Sequence, residues 1–260
     1  MSLPRFFLDG QVLGAEVAPT FPLRLSAEDT RHARALRLAP GEHIAVVDAA
    51  RDYFECEVVE VDAGGMAVRI AAHEGAAADG ASVILLQGVT KGDKMDSVIR
   101  HATELGVSAF IPLACERSVV RLDEKRAAKR LERWRAIAKS AAMQSGQPAI
   151  PEVAGIMTAG DAAALLSGAT CVLVCWEEAR AGAIGRAVRA SLEQLRIPAE
   201  DARVAVVVGP EGGLSESEVD AFLACNPRAC TVTLGRSILR TETAGIVAPA
   251  LVLYELGGLQ

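Results

Sequence analysis

A chain of 260 residues, 51% hydrophobic and 23% charged, holds enough apolar material for one large or two modest domains, and its composition excludes disorder. No apolar run approaches the roughly 20 residues that cross a bilayer, and the opening MSLPRFFLDG has no basic region followed by an apolar stretch, so a cytosolic protein is expected. A net charge of −6 by itself argues against a nucleic-acid partner, the six cysteines form no C-x-x-C pair and read as small buried hydrophobes, and the four scattered histidines have no metal-ligand spacing, so no metal is expected.

Residues 1–73 read as β. HIAVVDA, YFECEVVEVDAG and GMAVRIAAH are short β-branched runs separated by Gly and Asp turns. Only SAEDTRHARALRL has a helical pattern, with Ser26 or Asp29 as its cap. A small barrel-like domain fits this order. Residues 74–82 are small, Gly/Ala-rich and without periodicity, and read as a linker. From residue 83 to 260 the pattern alternates. SVILLQGVT is a strand, KGDKMDSVIRHATELG a helix closed by Gly106, AFIPLAC a strand, and DEKRAAKRLERWRAIAKSAAMQ a long helix. A short helix in AGDAAALLSG follows, then strands TCVLVCWE, ARVAVVVG and ACTVTLG with helices near 184–195 and 215–224, and a last helix from Thr243 to Glu255. Continuous apolar strands between helices predict a mostly parallel sheet covered on both faces.

In such sheets ligands bind beyond the carboxyl ends of the strands. Three ends carry unusual residues. VTKGDKMD resembles a phosphate loop but lacks the G-x-x-x-x-G-K-[ST] spacing, which excludes the usual NTP site; Lys91 and Lys94 remain candidates for an RNA phosphate. VVVGPEGGLSESEV breaks a valine-rich strand into Gly209, Pro210, Glu211, Gly212 and Gly213, ahead of Ser215 and Glu218 at capping-box spacing. LGRSILRTETA brings Gly235, Arg236, Arg240 and Glu242 to the entry of a nearly charge-free helix. Capping by Thr241 or Thr243 explains the threonines, and Glu242 suits the positive end of a helix; Arg240 there answers to something anionic. No G-x-G-x-x-G follows a strand and no G-x-S-x-G occurs, which removes the common dinucleotide and hydrolase motifs.

Charge is uneven. Between Lys91 and Lys139 twelve basic residues stand against seven acidic ones, and Arg31, Arg34 and Arg37 cluster near the N-terminus. With Lys91, Lys94 and Arg117, these three arginines are the candidate RNA contacts, acting through phosphates. For DEKRAAKRLERWR alone, a solvated helix face laced with i,i+4 pairs is the simpler reading.

VGPEGGLSESEV with LGRSILRTETA resembles the two C-terminal motifs of the SPOUT, or α/β-knot, methyltransferases. QGVTKGDKMDSVIRHATELGV, ERSVV, AAMQSGQ and RHARALRLAPGEHIAVVD extend the resemblance over nearly the whole chain, to the small-subunit ribosomal RNA methyltransferase E family. The resemblance implies an α/β fold: a C-terminal trefoil-knotted SPOUT methyltransferase domain with an N-terminal PUA-like β-barrel. It implies a homodimer that transfers a methyl group from S-adenosyl-L-methionine to N3 of one uridine in 16S rRNA near the decoding centre, with the rRNA or the small ribosomal subunit as partner. Carried over, the cofactor pocket comprises Gly209, Glu211, Gly212, Gly213, Leu234, Gly235, Ser237, Ile238, Leu239, Thr243 and Ala244, with Arg240, Glu242 and Thr243 nearest the reacting centre. One departure is Gln147, where the family often has Arg. A relative that methylates ribose 2′-hydroxyls, and a non-catalytic RNA-binding assembly factor, are the alternatives.

The chemistry asks for a group that accepts the uracil N3 proton. Glu242 and Glu211 are the candidates, with Glu242 preferred for its place on the stretch entering the last helix. Arg240 would face the charge developing on the uracil oxygens. The final helix, apolar on nearly every face from Ala244 to Leu253, is expected to be buried partly against the sheet and partly against a second copy.

Overall fold

The computed structural model describes residues 3–62, 65–76, 80–118, 123–179 and 182–259. The chain forms two compact units, residues 1–78 with 142–149, and residues 79–141 with 150–260.

The first unit contains β1 (Arg5–Phe7), β2 (Phe21–Pro22), α1 (Ala27–Ala35), β3 (His43–Val47), β4 (Asp52–Val61) and β5 (Met66–Ala76). The three β runs read from the sequence are β3, β4 and β5. They form an antiparallel meander, flanked by β1 parallel to β3 and by β2 antiparallel to β5. The order is β1-β3-β4-β5-β2, and among the described residues the end strands do not pair, so the sheet is not a closed barrel. β2 is too short to close it, being two residues long, and Pro22 has no N–H to give to a ladder. Phe6, Leu13, Ile44, Val46, Phe54, Val58 and Val68 make the buried face. Alternation along β4 places Phe54, Cys56 and Val58 inward. Ser26 caps α1: its hydroxyl accepts the Asp29 N–H at 3.1 Å and donates to the Asp29 carboxylate at 2.7 Å. Arg5 donates to the Gln147 carbonyl at 2.6 Å and lies 5.1 Å from the centre of the Tyr53 ring. The segment read as a linker begins with the last three residues of β5 and ends on the first residue of the next strand, and 77–79 within it lie outside the described residues.

The second unit runs β6 (Ser82–Gly88), α2 (Lys94–Leu105), β7 (Ala109–Leu113), α3 (Glu124–Ser145, its last four residues counted with the first unit), β8 (Glu152–Val153), α4 (Ala159–Ala164), β9 (Cys171–Cys175), α5 (Ile184–Leu195), β10 (Arg203–Val208), α6 (Glu216–Ala224), β11 (Ala229–Val232) and α7 (Thr241–Glu255). The six strands are all parallel, in the order β11-β9-β10-β6-β7-β8. β10, the valine-rich strand, lies between β9 and β6. Its period of two explains its composition. Val204, Val206 and Val208 enter a core shared with α2, α5 and α7, while Ala205 and Val207 enter the opposite core, shared with α4 and α6. A strand covered on both faces has no solvent side on which to place a polar residue.

α2 ends at Gly106, whose φ of 105° lets the backbone turn back and close the helix. α3 is less of a solvated face than its charges suggest. Trp134 is buried and donates to Asp96 on α2 at 3.2 Å, and Arg133 pairs with the same carboxylate. Arg130 and Arg135 donate to the carbonyls of Thr90 and Val153, at 3.3 and 3.2 Å. α7 starts two residues earlier than expected, with Arg240 in the cap position and no side-chain cap bond. It packs on α2 and α5 and against β10 and β6. Ala244, Ala248, Val252 and Leu256, four residues apart, are buried within the chain, while Leu251 is 43% and Tyr254 58% exposed.

Candidate active site

The site lies where the carboxyl ends of β9 and β10 meet the loop that follows β11. The chain leaves β10 at Gly209 and turns through Pro210 to Gly213, whose N–H closes the turn on the Pro210 carbonyl at 2.9 Å. Gly213 has a φ of +72°, and a Cβ on Gly212 would lie 2.7 Å from the Arg117 carbonyl oxygen. Both positions therefore require glycine, one for conformation and one for space. Ser215 then opens α6 with a complete capping box: its hydroxyl accepts the Glu218 N–H at 3.3 Å, and the Glu218 carboxylate accepts the Ser215 N–H at 2.9 Å.

After β11, residues 233–240 run without regular structure into α7. This loop, the Gly209–Gly213 turn and the residues following β9 enclose a cavity of about 750 Å³. Of the residues expected at a cofactor, Gly209, Glu211, Gly212, Gly213, Leu234, Gly235, Ser237, Ile238, Leu239 and Ala244 line it, as does Arg240. Thr243 and Glu242, on the first turn of α7, do not line it. Ile238 is 87% exposed at its edge.

The two carboxylates singled out from the sequence share a cation. Lys94, at the start of α2, places Nζ 3.0 Å from Glu211 Oε1 and 3.3 Å from Glu242 Oε2. Two anions therefore already face the ammonium of Lys94, one of the candidate RNA contacts. The Lys91 backbone N–H also donates to Glu211 Oε1, at 3.2 Å. Glu242 Oε2 is buried and, beyond the ion pair, has no hydrogen bond of good geometry. The hydrogen bond to Glu211 raises the Lys94 ammonium above its ordinary range, desolvation opposes this, and Glu242 adds to the rise. For Glu211, partial burial works upward, but hydrogen bonds from its own N–H, from Lys94 and from the Lys91 N–H outweigh it, and the net direction is down.

Arg240 is exposed, and no ion pair or hydrogen bond of its side chain appears among the described residues. It stands at the positive end of α7, where an anionic partner is favoured over a cation. Arg117 and Lys91 are exposed in the same unit, and Arg117 packs its backbone on Gly212. Arg31, Arg34 and Arg37 are exposed on and just beyond α1 of the first unit, with Arg37 in the left-handed region at φ 55°. Gln147 presents its carbonyl to Arg5.

Sequence reasoning missed three residues, and the role of a fourth, Thr241. Trp176 and Glu177 line the cavity directly after β9; the rule that ligands sit beyond strand ends pointed there, but no motif marked them. Gln87, the one polar side chain of β6 beyond its first residue Ser82, is fully buried and donates to Thr241 Oγ1 at 2.9 Å. Thr241 in turn donates to the Gly209 carbonyl at 2.5 Å. This relay ties β6, the glycine turn and α7 together, and a lone glutamine in an apolar strand was its visible signal.

A parallel sheet with a glycine-lined cavity beyond its strand ends defines an α/β ligand-binding domain, and the RNA methyltransferase domain family model matches residues 79–253. A ribosomal RNA small subunit methyltransferase E from Bacillus subtilis is 32% identical over 97% of this chain and 97% of its own. The crystal structure of a ribosomal RNA small subunit methyltransferase E from Neisseria gonorrhoeae, bound to S-adenosyl methionine, superposes with a TM-score of 0.78 at 30% identity, covering 96% of this chain and 97% of that one. A putative methyltransferase from Legionella pneumophila, in complex with the same cofactor, gives 0.77 at 26% identity over 98% of both chains. The chain belongs to the RNA methyltransferase domain family and, within it, to the ribosomal RNA small subunit methyltransferase E family.

Proposed function

We propose that this protein methylates N3 of a specific uridine in small-subunit (16S) ribosomal RNA near the decoding centre, with S-adenosylmethionine as donor. The observation that carries the reading is the cavity into which Glu211 and the two glycine-containing loops converge. Its volume is in the range of small-molecule sites, roughly 300–1,000 Å³. The donor set suits the cofactor: backbone groups of 209–213 and 234–239 for adenine and ribose, and the carboxylates of Glu211 and Glu177 for a ligand that carries positive charge. Bound S-adenosylmethionine supplies a methyl carbon already activated by its sulfonium leaving group.

The chain's own task is to position and to move a proton. Glu211 is preferred over Glu242 as acceptor of the N3 proton, because Glu211 lines the cavity and Glu242 reaches it only through Lys94. Arg240 faces the negative charge that develops on the uracil oxygens. Because N3 is blocked in a base pair, the target uridine is unpaired or flipped out. Arg31, Arg34, Arg37, Lys91 and Arg117 hold RNA phosphates, so RNA affinity falls steeply with salt.

Finer features belong to the same reading: a trefoil knot in which the 233–240 loop and α7 close the sheet, a PUA-like first unit that holds RNA, and a cytoplasmic homodimer formed through α7. Among the described residues no helix is long and apolar enough to cross a membrane and no cluster of side chains could hold a metal ion.

The test is in-vitro methylation of small subunits followed by nucleoside mass spectrometry and mapping. The expected product is 3-methyluridine at one position. A methylated ribose, or no transfer with intact cofactor binding, overturns the reading. Glu211→Gln should lower kcat by about 10²–10⁴ at saturating cofactor, the usual contribution of a general base. Wild-type kcat in both Glu211→Gln and Glu242→Gln would reject a carboxylate base.

A further inference from the structure

We propose that Lys94 is a positioning residue of this site: its ammonium ties Glu211 on the turn after β10 to Glu242 on α7 and thereby holds Glu211 in place as an ionised proton acceptor. The inference rests on the methyl-transfer reading and adds a residue that the motifs had assigned to RNA.

Three observations converge. First, the geometry is a bridge rather than a single pair, with one nitrogen 3.0 Å from one carboxylate and 3.3 Å from the other. Second, the bridge joins three elements far apart in sequence, α2, the glycine turn and α7, beside the cavity that Lys94 and Glu211 line. Third, the arrangement is incomplete without the lysine. Glu242 Oε2 is buried and has no other close polar partner among the described residues, so the ammonium is what compensates its burial. Lys94 is itself only about one-third exposed, 33% of its side chain, which limits screening by solvent.

Among the described residues, Lys94 is the cation paired with these two carboxylates. Lys91 reaches Glu211 through its backbone N–H. Asp93 precedes Lys94 and adds negative charge. Asp96 is taken by Arg133 and Trp134, and Arg130 donates to the Thr90 carbonyl. Arg117 meets the glycine turn through its backbone, Arg236 and Arg240 line the cavity from the loop entering α7, and Glu177, beside Gly213, adds a further negative charge.

The sign of the effect follows. The cation beside Glu211 favours its carboxylate form. In Lys94→Met that cation is gone and an unshielded like charge remains, so Glu211 takes up a proton at higher pH. A base must be deprotonated to act, so activity is lost as pH falls through a raised value. The acid limb of kcat/KM against pH should therefore move upward by about one unit or more, the usual effect of an opposite charge within 4–6 Å. Lys94→Arg, which restores a cation with different geometry, should return the limb toward its wild-type position while kcat stays reduced.

The experiment is the pH profile of methyl transfer to small subunits by wild type, Lys94→Met and Lys94→Arg, with cofactor affinity measured alongside by calorimetry. An upward limb in Lys94→Met, reversed in Lys94→Arg, supports the proposal. A Lys94→Met limb that overlays the wild-type one, or a loss confined to the KM for RNA as expected of a phosphate contact, overturns it. Should Lys94→Met fail to fold, Lys94→Gln carries the same comparison. Absence of transfer by wild type would instead reject the methyl-transfer reading, so the two failures are distinct.

Discussion

Thr241 shows how much a single hydroxyl can organise. From its sequence context it reads as a candidate helix cap. In the structure it is the first residue of α7, buried, and its hydroxyl donates to Gly209 while accepting from Gln87. Arg240 has the cap position, with φ −63° and ψ 151° and no side-chain cap bond. Replacing Thr241 by Val keeps the shape but leaves a buried carbonyl and a buried amide without this partner. The expected loss is about 1–3 kcal/mol in urea unfolding, together with weaker cofactor binding, because Gly209 lines the cavity. Thr243→Ala, two residues on and exposed, should stay within about 0.5 kcal/mol of wild type. Equal effects of the two substitutions would remove the relay from the account.

At the scale of elements, α6 and α7 begin by different means. α6 has its own capping box, read directly from the spacing of Ser215 and Glu218. What the spacing did not reveal is that Glu218, only 5% exposed, also accepts the Glu116 N–H at 2.9 Å and so fastens α6 to the segment after β7. Ser215→Ala should cost about 1 kcal/mol, the usual value for a cap. Glu218→Ala should cost more, since it leaves the buried N–H of Ser215 unpaired and also removes the acceptor of the Glu116 N–H. Chemical denaturation of the two variants measures both, and a Glu218→Ala loss no larger than that of Ser215→Ala would contradict the long-range role. α3 teaches the same point in reverse. Its dense charge pattern suggests a solvated face, yet Trp134 is buried and three of its arginines have partners outside the helix.

At the scale of the molecule, α7 is covered by its own chain along the stripe Ala244, Ala248, Val252 and Leu256, while Leu251 and Tyr254 remain exposed. If the proposed homodimer forms through this helix, Leu251→Glu with Tyr254→Glu should convert a dimeric mass to a monomeric one in sedimentation or light scattering. A monomeric wild type, or a double variant that stays dimeric, rejects the helix as the interface. Strand and helix alternation, the covered parallel sheet, the glycine turn and the loop before α7 were all legible in the order of residues, because periodicity and turn chemistry act over a few neighbouring positions. The open sheet of the first unit was not, since closure depends on pairing between β1 and β2 rather than on the meander that the pattern revealed. Nor were the partners of Lys94 and Gln87. Gln87 and Thr241 are 154 residues apart and meet only because β6 lies beside β10 and α7 packs across both. That Lys94 bridges two carboxylates depends on which strand ends become neighbours, and that is decided by the order of strands in the folded sheet.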